Sequence, residues 1–105
     1  MSSLSNKVAI VTGGGNGIGR AISLLFSRER ARVAVGDIER ADAERVSTEI
    51  LDKKGEAFPL TVDVVRKKSV NHMVDEVLER WGRIDILVNN AGGANRKQVF
   101  EMEEA

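Results

Sequence analysis

The chain has 105 residues, and its 16 Lys+Arg balance 16 Asp+Glu to give zero formal net charge. A chain this short makes one domain at most and buries roughly 60–70% of its unfolded surface. No basic stripe points to nucleic acid, cysteine is absent, and no apolar run reaches signal-peptide or membrane-span length, which excludes disulfides, thiolate metal sites and membrane spans and predicts a soluble, cytoplasmic domain.

The elements alternate along the chain. Lys7-Val8-Ala9-Ile10-Val11-Thr12 is a short β-branched run, and Gly13-Gly14-Gly15-Asn16-Gly17-Ile18-Gly19 is a glycine-dense turn that leads into a helix. In that helix Ile18, Ala21, Ile22, Leu25 and Phe26 recur at three and four residues and predict one buried face. Val33–Gly36 is a second strand ending at Asp37, and a second helix is predicted over residues 41–54 with Gly55 as its C′ residue. A third strand covers residues 57–62, where Pro59 argues for a sheet edge because it cannot donate to a ladder. Val70, Met73, Val74, Val77, Leu78 and Trp81 form a helical stripe stopped by Gly82, and Ile84–Val88 is a fourth strand followed by Asn89-Asn90-Ala91-Gly92. Near-continuous apolar strands alternating with helices predict a parallel sheet covered on both faces, and right-handed crossovers favour the strand order 3-2-1-4.

Ligands of such sheets bind outside the carboxyl ends of the strands, where the strand order reverses. The residues at those ends are Gly13 to Gly19, Asp37, Asp63 and Asn90-Ala91-Gly92, all but Asn16, Ile18 and Ala91 being glycine or a strand-end polar group. A strand–turn–helix corner of this kind presents orphan amides and the positive end of a helix dipole to an anion, and glycine lets a pyrophosphate approach closely. The G-x-G-x-x-G string is missing, because Ile18 stands where Gly13 and Gly15 would require glycine; the pattern present is Thr12-Gly13-x-x-x-Gly17-x-Gly19. Asp37 can accept hydrogen bonds from the adenosine ribose and would repel a 2′-phosphate, which selects NAD over NADP. Two alternatives stay open: Asp37 could instead cap the following helix, and Arg40 could partly neutralise a phosphate.

With these residues in their observed order and spacing, the chain resembles the short-chain dehydrogenase/reductases. The resemblance runs from about residue 6 to about residue 94, on Thr12 to Gly19, Asp37, Asp63-Val64 and Asp85 to Gly92. It implies a Rossmann-type doubly wound sheet, ending here after the fourth strand, in which Gly13, Gly15, Asn16, Gly17, Ile18 and Gly19 cradle the pyrophosphate. Asp37, with Ile38 beside it, holds the adenosine ribose; Asp63 and Val64 flank the adenine; Asn90, Ala91 and Gly92 run beside the cofactor while Asn89 supports the sheet. Members of the family transfer hydride between the nicotinamide and an alcohol or carbonyl carbon of a small molecule. Their chemistry depends on a serine, an asparagine and a Tyr-x-x-x-Lys pair, whereas this chain has no tyrosine and no serine after Ser69. The resemblance therefore implies the NAD-binding portion of an oxidoreductase without its catalytic half, the alternatives being a non-catalytic NAD or adenine-nucleotide module and a subunit-docking remnant.

Two departures bear on stability. Arg30 stands where relatives usually have glycine, at a cost of about 1 kcal/mol if the position is left-handed. Val65-Arg66 replaces a helix-capping pattern, a loss worth about 0.5–2 kcal/mol. Ending after the fourth strand would leave Ile84–Val88 as an uncovered apolar edge, which predicts self-association, as a homo-oligomer or by aggregation. His72, the one histidine, reads as an exposed helix residue, Trp81 as core or interface, and Glu101, Glu103 and Glu104 as a solvated end.

Overall fold

The structure, a computed structural model, describes residues 4–90 and the strand at 98–101. The elements are β1 (Val8–Thr12), α1 (Gly17–Arg28), β2 (Arg32–Asp37), α2 (Arg40–Asp52), β3 (Glu56–Thr61), α3 (Lys67–Trp81), β4 (Ile86–Asn89) and β5 (Gln98–Glu101). They form one sheet in the order β3-β2-β1-β4-β5, parallel except for the β4–β5 pair. The predicted order 3-2-1-4 is therefore present, with Pro59 on the edge strand as its missing N–H requires.

Side chains of successive strand residues point to opposite faces, so the all-apolar strands feed two cores. Val8, Ile10, Ala34, Phe58 and Leu60 pack with Met73 and Val77 of α3 on one face. Val11, Val33, Val35 and Ala57 pack with Ala43, Val46 and Ile50 of α2 on the other, where Ile22, Leu24 and Phe26 of α1 also lie. Phe58 meets the edge of Trp81 at 4.9 Å and carries the Arg80 guanidinium over its ring, which covers the core beneath β3.

Three expectations are corrected. The fourth strand is not an open edge, because β5 pairs antiparallel along all of β4, from Ile86–Glu101 to Asn89–Gln98. With β4 paired along its length, no open β4 edge is left to drive self-association. The face that α1 turns inward is centred on Gly19 and Ser23, flanked by half-buried Ile22 and Phe26, while Ile18, Ala21 and Leu25 are exposed. Close approach of α1 to the sheet demands small residues at the centre of the contact, so Gly19 and Ser23 lie there and Ile22 and Phe26 pack at its margin. The left-handed residue after α2 is Lys54, with φ 72°, and Gly55 comes one position later.

Both α1 and α2 end in the same hydrogen-bonded motif. Arg30 N–H donates to Ser27 O and Ala31 N–H to Phe26 O, as Lys54 N–H does to Leu51 O and Gly55 N–H to Ile50 O. Arg30, with φ 74°, occupies the left-handed position anticipated for it. None of the three helices has a side-chain hydrogen bond at its N-cap, and Arg66 holds that position on α3. Ser69 Oγ instead accepts from Asp63 N–H at 2.9 Å, which fastens the loop ahead of α3 to its first turn.

The non-ligand rim is fastened by Asp85. Its Oδ2 accepts from Val8 N–H at 2.8 Å, its own N–H donates to Val8 O, and Arg83 grips both carboxylate oxygens at 2.7 and 2.8 Å. The bonded Arg83 guanidinium holds the Asp85 carboxyl below the usual carboxylate range; burial opposes this, and the Val8 amide and the Lys7 charge add to it.

Candidate cofactor site

The carboxyl rim of the sheet gathers the residues singled out from the sequence. Gly13 leaves β1 with φ 64°, and Gly14 N–H donates to Gly36 O at 3.0 Å, tying the turn to the end of β2. The first bond of the α1 ladder runs from Arg20 N–H to Asn16 O, so the amides of Gly17, Ile18 and Gly19 stand ahead of it. Gly19 is irreplaceable by geometry: a Cβ there would overlap the Gly13 carbonyl and lie 2.9 Å from the Asn90 amide nitrogen. Such a corner, with amides facing out and no side chain between turn and helix, is an anion cradle.

Asp37 is 8% exposed and sits directly behind the turn. Its Oδ2 accepts from Gly15 N–H at 3.1 Å and its Oδ1 from Glu39 N–H at 3.0 Å. The N-cap of α2 is Glu39, so Asp37 braces the loop ahead of the helix and the glycine turn at once. Each carboxylate oxygen keeps a second lone pair for a sugar hydroxyl. Arg40, the cation suggested nearby, pairs with Glu44 at 3.1 Å, both side chains exposed.

The far side of the rim is held by Thr12. Its hydroxyl accepts from Asn90 N–H at 3.1 Å and lies 3.0 Å from Asn89 Oδ1 and 3.3 Å from Val88 O, either of which takes its single proton. The Asn90 amide also reaches Gly13 O at 3.4 Å. These contacts join the ends of β1 and β4 at the point where the strand order reverses. Asp63 Oδ1 accepts from Val65 N–H at 3.2 Å and Oδ2 pairs with Arg66, while Ile38 is exposed and Val64 half-buried at the ends of β2 and β3. Ala91 and Gly92 lie outside the described residues, as do Glu103 and Glu104.

Two residues of the rim had no signal in the sequence. Asp42 and Arg45, on the first turns of α2, pair at 3.0 Å; Arg45 also donates to Gly15 O at 3.2 Å, and Asn16 reaches Asp42 at 3.4 Å. They meet the turn across some 30 positions of sequence, a contact that only the packing of α2 beside α1 creates. A cavity of about 470 Å³ opens instead at the opposite rim among Ser27, Arg28, Arg30, Lys53 and Lys54. Basic residues there follow from the helix C-terminal ends they complement. His72 is exposed beside Glu76 at 3.3 Å. Among the described residues no group of acidic or histidine side chains is placed to hold a metal ion, and no helix is long and apolar enough to cross a membrane.

Fold and rim together define a Rossmann-type parallel sheet with helices. The model of the short chain dehydrogenase family matches residues 7–105, and the chain belongs to that family. It is 39% identical over 102 residues to the 7alpha-hydroxysteroid dehydrogenase of Escherichia coli strain K12, covering 97% of this chain and 40% of that protein. It is 44% identical over 99 residues to the sorbitol dehydrogenase of Cereibacter sphaeroides, covering 94% and 38%. The crystal structure of a hydroxysteroid dehydrogenase from Escherichia coli superposes with a TM-score of 0.84 at 40% identity, over 86% of this chain and 38% of that one. The chain thus spans about 40% of the length of the curated relatives it matches.

Proposed function

We propose that this chain is the NAD-binding portion of an oxidoreductase that moves a hydride between the nicotinamide and an alcohol or carbonyl carbon of a small molecule. The observation that carries the reading is the pairing of an amide-lined glycine corner with a nearly buried carboxylate, Asp37, bonded to that same corner through Gly15. The bound nicotinamide supplies the hydride chemistry. The residues of this chain bind and orient it: the amides ahead of α1 for the pyrophosphate, Asp37 for the ribose hydroxyls, Ile38, Asp63 and Val64 around the adenine, and Asn90 along the strand end. No residue here is assigned the proton that a reduced carbonyl oxygen takes up.

Calorimetric titration of the chain with NAD and NADP tests the reading. NAD binds more tightly, and Asp37→Arg shifts the ratio of the two affinities toward NADP by about tenfold or more, since it exchanges a repelling charge for an attracting one beside the 2′ position. Unchanged relative affinities remove Asp37 from the ribose role. A wild-type chain that takes up neither dinucleotide overturns the reading.

A further inference from the structure

The backbone of Gly15 is held on both sides by opposite charges. Asp37 accepts from its N–H at 3.1 Å, and Arg45 donates to its carbonyl at 3.2 Å. Since a single residue separates these contacts, carboxylate and guanidinium stand no more than about 10 Å apart. At that separation salt does not fully screen one from the other. Yet the Arg45 guanidinium is also engaged: the nitrogen that reaches Gly15 lies 3.0 Å from Asp42 Oδ1, while Asp42 Oδ2 accepts from Asn16 on the turn itself. The Arg45 side chain is 54% exposed and Asp42 24%, so the cation can be reached from solvent while its counter-charge is packed against the turn. Asp42 has no room to withdraw toward the turn, because its backbone and Cβ already lie within 2.6 Å of where a Cβ on Gly15 would sit.

From this arrangement we infer that Asp42 and Arg45 are cofactor-specificity residues. Asp42 masks the Arg45 guanidinium bonded to the glycine turn, so a 2′-phosphate entering beside Asp37 meets two carboxylates and a cation already satisfied. The preference for the unphosphorylated ribose is then set from α2 as well as from the end of β2. Arg40 does not serve in its place, being paired with Glu44. The inference rests on the reading above that the adenosine ribose lies at Asp37.

A double-mutant cycle with NAD and NADP titrations of the whole chain tests it. Asp42→Asn keeps the oxygen that accepts from Asn16 and frees the guanidinium; it raises NADP affinity relative to NAD by about two- to fivefold, the range expected for a partly exposed charge pair. Arg45→Met alone gives no such gain, and the gain disappears in the double variant, whereas Asp42→Asn combined with Arg45→Lys retains part of it. A thermal melt of each variant separates loss of fold from loss of selectivity. An unchanged ratio in Asp42→Asn, or a gain that persists without Arg45, overturns the inference while leaving NAD binding at the turn intact. Failure of the wild-type chain to bind either dinucleotide overturns both.

Discussion

Replacing Gly19 by alanine abolishes dinucleotide binding and lowers stability by about 3 kcal/mol, the upper end of the overpacking range. The added methyl group has nowhere to go. It would overlap the Gly13 carbonyl oxygen, part of the turn backbone, and press on the Asn90 amide that ties β4 to that turn. Relief requires moving the turn away from α1, which takes the outward amides of Gly17 and Ile18 out of register with each other. Gly17→Ala is the control: no atom lies within 4 Å of its Cβ position, so its cost is confined to φ 51°, about 1 kcal/mol. Urea denaturation of the two variants, followed by NAD titration, ranks them. A Gly19→Ala chain as stable as wild type, with NAD affinity retained, would mean that α1 does not pack on the turn as described.

Asp85→Ala has the opposite profile, a large loss of stability with no change in intrinsic NAD affinity. Asp85 lies at the non-ligand rim and joins the start of β1 to the segment entering β4 through Val8 and Arg83. Its side chain is 11% exposed. Removing it leaves the Val8 amide without its acceptor and takes from the Arg83 guanidinium both of its bonds to the carboxylate, at a cost of about 2–3 kcal/mol. The pH dependence carries a sign that can be checked. Asp85 has its carboxyl held below the usual range, so its contribution is present above the unfolded-state pKa near 4 and is lost as pH falls through the lower folded value. The stability gap between wild type and Asp85→Ala is therefore constant between about pH 5 and 8 and narrows below about pH 4. A gap that stays open in acid would assign the loss to packing rather than to the charge.

Much of this architecture was readable before the structure because its causes are local. The glycine corner follows from which residues can turn from strand to helix at that spacing, and the edge position of β3 follows from one missing N–H at Pro59. Where the outcome depends on what packs against what, the sequence was silent. Apolar periodicity gathers Ile18, Ala21, Ile22, Leu25 and Phe26 into one face of α1, whereas Gly19, Ser23, Ile22 and Phe26 make a second face that shares only Ile22 and Phe26 with it. The sheet selects the other, because α1 must come close enough for Gly19 to rest on Gly13. Likewise nothing local marks Lys54 as left-handed beside an available glycine; the chain takes that conformation one residue early, placing Gly55 rather than Lys54 against the α2 end, where a Cβ would meet Ile50 at 2.7 Å.

The rim shows the same division. Asp37, Asp63 and Asn90 were legible because strand ends in a parallel sheet are legible, whereas the Asp42–Arg45 pair lies inside a helix and meets the turn only through the α1–α2 packing. β5 pairs antiparallel with β4, and its four residues are too short a run to announce another strand.

The most direct test of the central claim is amide chemical-shift mapping of the isotopically labelled chain during titration with NAD. The expected perturbations concentrate at Gly13 to Gly19, Asp37, Ile38, Asp63, Val64 and Asn90 and saturate together. Shifts clustered instead around Arg28, Lys53 and Lys54 at the opposite rim, or none at the glycine corner, would contradict it.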